Sequence, residues 1–287
     1  MQEHNTVEQK KIPTKQGRRI ILITIITALI IGGGIAGTVV IKRFVAHEQA
    51  QNEAISNLRA QVSLLSEKAA GSDEGSKFAK SVTEEGFDYL AIGNSITTHP
   101  IVDYWWGEWG MAASDADHDY YHRVLTKLGD KYETVNSTPY LYGSWELMGH
   151  DRAETFELVD TYLCEGIDLV TIQLSENASD LSTFESDYVE LINHIREKCG
   201  SEVQIILIDD FWDDKKSEIK RSVAETTGID FVDLTDIRGD VKYQSYIGAI
   251  VQGDDGEVHT VEHSGVAIHP GDEGMAVIAD RVLEIVQ

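Results

Sequence analysis

The chain has 287 residues, 42% of them hydrophobic and 25% charged, which fits a globular protein with one sizeable domain and appendages. Its formal net charge of −25 argues against nucleic acid as a partner, because neutralising phosphates requires clustered lysines and arginines. The only two cysteines, Cys164 and Cys199, exclude a disulfide-rich scaffold and an all-cysteine zinc site. After these exclusions, the chain is expected to be either an enzyme or a binding module.

A membrane anchor is expected near the N-terminus, where residues 20–41 form a run of 22 residues without a charge. As a helix this run would be about 33 Å long, enough to cross the hydrocarbon core of a bilayer. Five lysines and arginines precede it and two follow it, so the N-terminus is expected in the cytoplasm. A cleaved signal peptide, the alternative, would have a shorter apolar core. The pattern predicts a cytoplasmic tail over 1–19, a transmembrane signal anchor over 20–41, and a single-pass type II protein of the cell membrane with an extracellular domain.

A short helical stalk is expected after the anchor. Residues 44–68 contain no glycine or proline. Four apolar residues follow the 3-4-3 spacing of a coiled-coil seam: Ile55, Leu58, Val62 and Leu65. Such a stripe could pair two stalks into a homodimer. Residues 69–76 form a polar hinge, so we assign 44–76 to the stalk and hinge and 83–287 to the globular domain.

Strand and helix patterns alternate through the rest of the chain. Apolar runs predict strands over 87–92, 131–136, 168–174, 203–208 and 230–234. Amphipathic stretches predict helices over 120–128, 155–164, 184–199, 216–226 and 271–286. A Gly/Asp turn between two strand-like arms predicts a β-hairpin over 247–263. Five strands separated by helices predict an α/β fold with a five-stranded, doubly wound parallel sheet.

Three polar residues stand where such a sheet places its active site, beyond the carboxyl ends of the strands. Ser95 follows the first strand on a tight turn that is expected to enter a helix, which suits a nucleophile, although an N-cap serine is the more common occupant of such a position. Asn177 follows the third strand, where its amide could donate to an oxyanion or belong to a polar loop. His269 precedes the last helix and could accept the serine proton.

The blocks GNSIT, VTIQLSEN and IHPGDEGM that contain these residues resemble those of the SGNH (GDSL-type) hydrolase superfamily over roughly residues 87–286. The resemblance implies a flavodoxin-like three-layer sandwich. It implies Ser95 as nucleophile and His269 as base. It also implies three oxyanion donors, the Ser95 amide, the Gly143 amide and the Asn177 side chain.

Two positions depart from the family pattern. Asn94 stands where the family usually has Asp before the nucleophile, a structural residue there. Val266 occupies the position of the triad acid, three residues before the histidine, and it cannot orient an imidazole. Three explanations remain open: another carboxylate such as Glu262 or Asp210, a backbone carbonyl, or an inactive protein.

The segment His259–His263 spells H-x-x-E-H, a pattern also found in inverted zinc proteases. Zinc binding by this pattern requires a helix, whereas the alternating residues here predict a strand. On a strand the two imidazoles would lie about 13 Å apart. We therefore expect no metal at this position.

Tryptophans cluster in sequence near the predicted site, and aromatic walls suit sugar rings or acyl chains. The candidates for substrate contact are Trp105, Trp106, Trp145 and Trp212, with core packing as the alternative for each.

Together these patterns predict an extracytoplasmic serine esterase that needs no cofactor. The substrate class implied by the resemblance is a small-molecule or glycan ester, above all O-acetylated carbohydrate. The alternatives are a catalytically silent glycan-binding protein of the same fold and a scaffold protein.

Overall fold

The computed structural model describes residues 74–287. The predicted tail, membrane anchor and most of the stalk lie outside these residues, so they stay predictions. Within the described range, no helix has the length and apolarity needed to span a bilayer.

A five-stranded parallel sheet forms the centre of the domain, as the alternating pattern predicts. Its strands are β1 (Phe87–Gly93), β2 (Val135–Leu141), β3 (Leu169–Gln173), β4 (Gln204–Ile208) and β5 (Asp230–Val232). They lie side by side in the order β2-β1-β3-β4-β5, which is the flavodoxin-like order. All residues of β1 are buried because the strand lies inside the sheet and both of its faces are covered.

Helices cover both faces and give three layers. In chain order they are α1 (Glu74–Ser81), α2 (Tyr120–Lys131), α3 (Gly143–Leu147), α4 (Phe156–Asp160), α5 (Phe184–Cys199), α6 (Asp214–Thr227), α7 (Ser264–Ala267) and α8 (Asp272–Ile285). Short 3-10 helices span Ala116–His118, Gly149–Thr155 and Val241–Tyr243. Helices α2 and α8 pack together, as do α5 and α6.

Alternation along the strands divides the core in two. In β1, Tyr89 and Ala91 belong to the cluster that includes residues of α2 and α8. Leu90 and Ile92 point the other way, into the cluster that includes residues of α5 and α6. Successive side chains of a strand point to opposite faces, so an unbroken apolar run is the pattern of a strand covered on both sides.

Several predicted boundaries need correction. Strand β2 begins at Val135 and not at 131, because α2 continues to Lys131. The predicted helix over 155–164 is shorter, since a 3-10 segment precedes α4. Helix α1 includes the last three residues of the predicted hinge and buries Phe78 in the core, so the packed domain begins before residue 83. The predicted hairpin is present as β6 (Ile250–Gln252) and β7 (Val258–Thr260), which pair antiparallel.

Candidate active site

The strand register brings the predicted site residues to one edge of the sheet. Gly93, the last residue of β1, pairs with Leu141 of β2 on one side and with Gln173 of β3 on the other. The segments that follow these three residues therefore leave the sheet next to one another. This is also where the strand order reverses, the usual position of a site in such sheets.

The nucleophile candidate lies on a tight turn directly after β1. The Asn94 amide donates to the Gln173 carbonyl, and the Asn94 carbonyl accepts from the amide of Thr97. A Cβ on Gly93 would lie 1.8 Å from Thr97 Oγ1, so this turn requires glycine at its start. The turn leads into a loop and not into the helix that we expect from the sequence. Ser95 thus has the turn amides near it but no helix dipole.

Ser95 and His269 form a hydrogen-bonded pair although 174 residues separate them in the chain. Ser95 Oγ lies 2.8 Å from His269 Nε2, and His269 Nδ1 lies 2.7 Å from the carbonyl oxygen of Gly265. A carbonyl oxygen can only accept, so the Nδ1 atom carries the proton. The Nε2 lone pair is therefore directed at the serine hydroxyl, as proton abstraction requires.

The surroundings of the imidazole keep it uncharged. Burial lowers the pKa of His269 to about 4, and the charges of His99 and His263 add to this effect. The hydrogen bond to the Gly265 carbonyl acts in the opposite direction and is the weaker influence. At neutral pH the ring is a free base that can take the Ser95 proton.

A backbone carbonyl holds the position that a triad acid has in the family pattern. The Gly265 oxygen orients the ring of His269, one of the three possibilities left open by the sequence. Val266 is 1% exposed and packs in the core, so its side chain contributes to the apolar cluster and not to the site.

Glu262 and Asp210 do not orient the histidine, and both assignments are wrong. Glu262 is exposed and bonds to no group within residues 74–287. Asp210 is buried and accepts hydrogen bonds from the Ser175 hydroxyl at 2.6 Å and from the backbone amides of Trp212 and Asp213. Its carboxylate holds the loop after β4 against the end of β3.

Among the N–H groups at this edge that have no partner in the described part of the chain, three match the oxyanion donors expected from the sequence. Two are the backbone amides of Ser95 and of Gly143, the first residue of α3, where an amide has no intrahelical acceptor. The third belongs to Asn177, whose Nδ2 uses one hydrogen on Glu146 at 2.8 Å and keeps the other free. These are the groups that the family resemblance assigns to an oxyanion site.

A buried carboxylate cluster beneath the site has no counterpart in the sequence analysis. Glu146 and Glu176 both accept from Asn94 Nδ2, at 3.0 and 2.7 Å. Burial of its carboxyl, with Asp210 nearby, raises the pKa of Glu176 to about 7. Lys220 donates to the Leu174 carbonyl here, and burial lowers its pKa. Glutamates occur throughout this acidic chain, and no sequence signal marks these two.

The cluster gives a physical reason for asparagine at position 94, where the SGNH pattern usually has aspartate. Its Nδ2 atom lies between two carboxylates, and its Oδ1 atom accepts from the Ile96 amide. An aspartate would place a third carboxylate against the other two. The amide supplies the donor that both glutamates need.

The four candidate tryptophans have different positions. Trp105 and Trp145 are fully buried, so their assignment to substrate contact is wrong, because packing in the core hides both rings. Trp106 is partly buried and stacks on His259 with ring centroids 4.4 Å apart. Trp212 packs edge-on against His269 at 5.1 Å. Trp212 is thus the candidate closest to the chemistry.

The H-x-x-E-H segment lies on the hairpin and the loop after it, as the alternation predicts, and not on a helix. His263 stacks on Tyr104 at 4.5 Å, and His259 bonds to Asp255. The two histidines and the nearby aromatic rings border an open cleft of about 380 Å³. Its lining consists of Asp103, Tyr104, Trp106, Val258, His259, Thr260, Glu262 and His263.

Comparison with known proteins gives structural matches only. No family model matches the sequence, and no curated protein matches it. Among solved structures, a two-domain esterase active on acetylated mannans, co-crystallized with mannopentaose, is 14% identical with a TM-score of 0.44. The match covers 74% of this chain and 50% of that one, so this chain spans half the length of that esterase.

Two further solved structures are matched over nearly their whole length. A lipolytic protein of the G-D-S-L family from Veillonella parvula DSM 2008 is 16% identical, with a TM-score of 0.42 and coverage of 69% of this chain and 97% of that one. TesA is 14% identical, with a TM-score of 0.42 and coverage of 69% and 96%. Matches with such low identities and TM-scores carry no argument about function. The similarity is therefore described from the features of this chain. The strand order, the motifs at the strand ends and the Ser95–His269 pair resemble those of the SGNH (GDSL-type) hydrolases.

Proposed function

We propose that the domain is a serine esterase that works through a Ser-His dyad. The observation that carries this proposal is the 2.8 Å contact between Ser95 Oγ and His269 Nε2, with His269 Nδ1 bound to a carbonyl oxygen. A neutral imidazole in this tautomer is a competent base for the serine hydroxyl.

The proposed reaction has two steps. Ser95 Oγ attacks the ester carbonyl as its proton passes to His269 Nε2. The tetrahedral oxyanion then accepts hydrogen bonds from the free N–H groups of Ser95, Gly143 and Asn177. The imidazolium then protonates the leaving alcohol, and an acyl-serine remains. Water attacks the acyl-serine with His269 as base, which releases the acid and restores the serine. The Gly265 carbonyl holds the ring in place throughout, and no step needs a cofactor.

The decisive experiment compares four forms of the full chain, purified in detergent, on 4-nitrophenyl acetate. We expect Ser95→Ala and His269→Ala each to lose at least about 10³-fold in kcat, since the two residues act as a unit. Ser144→Ala is the matched control, because its hydroxyl is buried near Gly143 and has no partner in the described residues. It should retain turnover.

A fluorophosphonate, which labels activated serines, distinguishes the alternatives. Labelling lost only in Ser95→Ala, even without turnover of this ester, would support the nucleophile with a narrower substrate. A folded wild type that shows neither turnover nor labelling would overturn the proposal and favour the silent glycan-binding or scaffold protein.

The proposed substrate is an O-acetylated carbohydrate. The family resemblance supports this class, and so does the polar cleft with its tyrosine and tryptophan rings. His263 of this cleft is close enough to influence the pKa of His269. Acetate release from acetylated mannan, on which the two-domain esterase acts, should exceed hydrolysis of a long-chain 4-nitrophenyl ester. The opposite preference would point to a lipid ester.

The proposed location is the outer face of the cell membrane. The uncharged run over 20–41 and the excess of positive charge before it support a signal anchor, with the stalk over 44–76 able to pair two chains. Protease added to intact cells should remove the domain and leave the tail protected. Protection of the domain would contradict this orientation.

A further inference from the structure

One carboxylate connects the segments that follow β1 and β3. Glu146 is 1% exposed and accepts four N–H groups. Its Oε1 atom lies 3.0 Å from Asn94 Nδ2, 2.6 Å from the Ser175 amide and 3.2 Å from the Asn177 amide. Its Oε2 atom lies 2.8 Å from Asn177 Nδ2. Both carboxylate oxygens thus accept hydrogen bonds at the edge of the sheet where Ser95 lies.

This contact determines which way the Asn177 amide points. An asparagine side chain has an oxygen and a nitrogen of nearly the same shape, and its partner selects between the two orientations. The four contacts of Glu146 are all with N–H donors, so its oxygens act as acceptors and select the nitrogen of Asn177. One N–H of Asn177 is used in this contact, and the other has no partner within residues 74–287.

The same carboxylate also holds the side chain of the residue that precedes the nucleophile. Asn94 directly precedes Ser95, and its side chain shares Glu146 with Asn177. Ser175, between the strand and Asn177, has a φ of +150°, a conformation that glycine adopts more readily, and its amide donates to Glu146. The unusual backbone is therefore held by the carboxylate that orients the amide.

Helix α3 combines two functions in five residues. Its first residue, Gly143, presents a free backbone amide, and Glu146 follows three positions later. We propose that Glu146 is a positioning residue for the esterase reaction, whose carboxylate aims the free N–H of Asn177 at the developing oxyanion. This inference rests on the proposed function, since it assigns a role within that reaction. The helix then supplies one oxyanion donor directly and orients a second.

Glu146→Gln tests the inference because it keeps the shape of the side chain. The three N–H groups on Oε1 hold an oxygen at that position, so the new amide nitrogen faces Asn177 Nδ2. Two N–H donors cannot form a hydrogen bond with each other, so the side-chain amide of Asn177 is expected to rotate by half a turn. Its oxygen would then face the oxyanion. We expect kcat on 4-nitrophenyl acetate to fall about 10²–10³-fold, the range for loss of one oxyanion donor, with KM nearly unchanged.

Asp210→Asn is the matched control. Asp210 is also buried, lies in the same cluster and loses the same charge. Its contact with the Ser175 hydroxyl survives the substitution, because a hydroxyl can accept as well as donate. We expect kcat within a few-fold of the wild type. An equal loss of kcat in Asp210→Asn and Glu146→Gln would overturn the inference, since charge in the cluster and not orientation would then matter.

A double-mutant cycle shows whether Glu146 acts through Asn177. Once Asn177→Ala has removed the donor, adding Glu146→Gln should cost little further kcat. If the two losses multiply, Glu146 acts by another route and the inference fails. The proposed function fails separately, when Ser95→Ala retains the turnover of the wild type.

A reciprocal swap keeps the inference testable if Glu146→Gln folds poorly. In Glu146→Gln with Asn177→Asp, the glutamine amide donates to the new carboxylate, so the contact is reversed and Tm should recover toward the wild-type value. The oxyanion would meet a carboxylate, so kcat should stay at or below that of Asn177→Ala. Recovery of kcat together with Tm would show a purely structural contact and overturn the inference.

Discussion

The pH dependence of the proposed esterase reaction is the most direct test of the environment of His269. Burial lowers the pKa of this imidazole from 6.5 to about 4, and only the neutral ring can accept the Ser95 proton. We therefore expect kcat/KM to fall with acid along a limb centred near pH 4. At about pH 5.5, His269 would be neutral in nearly all molecules, compared with about a tenth of them for a histidine of ordinary pKa.

Trp212 offers the perturbation that tests the cause. Its ring packs edge-on against the imidazole, and its Nε1 atom donates to the Ile268 carbonyl at 3.0 Å. Trp212→Ala admits water to the ring of His269, so the acid limb should move upward, toward pH 6.5. Trp212→Phe keeps an apolar ring in place and serves as the control, with its limb near that of the wild type.

Kinetics report this effect more cleanly than stability does. The folded state binds the His269 proton less well than the unfolded chain does, so the fold loses stability as pH falls from 6.5 to about 4. Glu176 acts in the opposite direction, since its pKa is raised and its contribution is lost as pH rises from 4.5 to about 7. The two effects partly cancel in the free energy of unfolding.

The assay measures hydrolysis of 4-nitrophenyl acetate at a series of fixed pH values across the acid range. It compares the wild type with Trp212→Ala and Trp212→Phe. A wild-type limb centred near pH 6.5 would refute the argument that burial controls this histidine. An acid limb that does not move in Trp212→Ala would show that Trp212 does not shield the His269 ring from water.

Two substitutions test the departures from the family pattern. Asn94→Asp removes the N–H donor between Glu146 and Glu176, so two buried carboxyl groups each lose a hydrogen bond, and the free energy of unfolding should fall by about 2–6 kcal/mol in urea denaturation. Adding Glu176→Gln should recover part of this loss, and a single-variant change below about 1 kcal/mol would contradict the account. Val266→Asp restores the family's acid in the sequence but buries a carboxyl in the core, so we expect a loss of about 3–5 kcal/mol and no gain in kcat. A stable variant with raised kcat would contradict the placement of that side chain.

The central strands were predictable because burial on both faces leaves an unbroken apolar run. β1, β3 and β4 are such runs, and their observed bounds lie within one or two residues of those predicted. Strand β2 lies at the edge of the sheet and is mostly half-buried, so its sequence, which includes Pro139, has no such run. The helix before it also continues past the last apolar residue of its stripe. For these two reasons the predicted second strand begins before the observed β2.

The sheet and the candidate residues Ser95 and His269 could be predicted from the sequence alone, because buried strands and short strand-end blocks have local signatures. The group that orients the histidine is visible only in the folded protein, since every residue has a backbone carbonyl and nothing in the sequence distinguishes that of Gly265. The same holds for Glu146, whose four donors come from two segments that meet only in the folded sheet. Contacts of this kind depend on register and burial, and these exist only after the chain has folded.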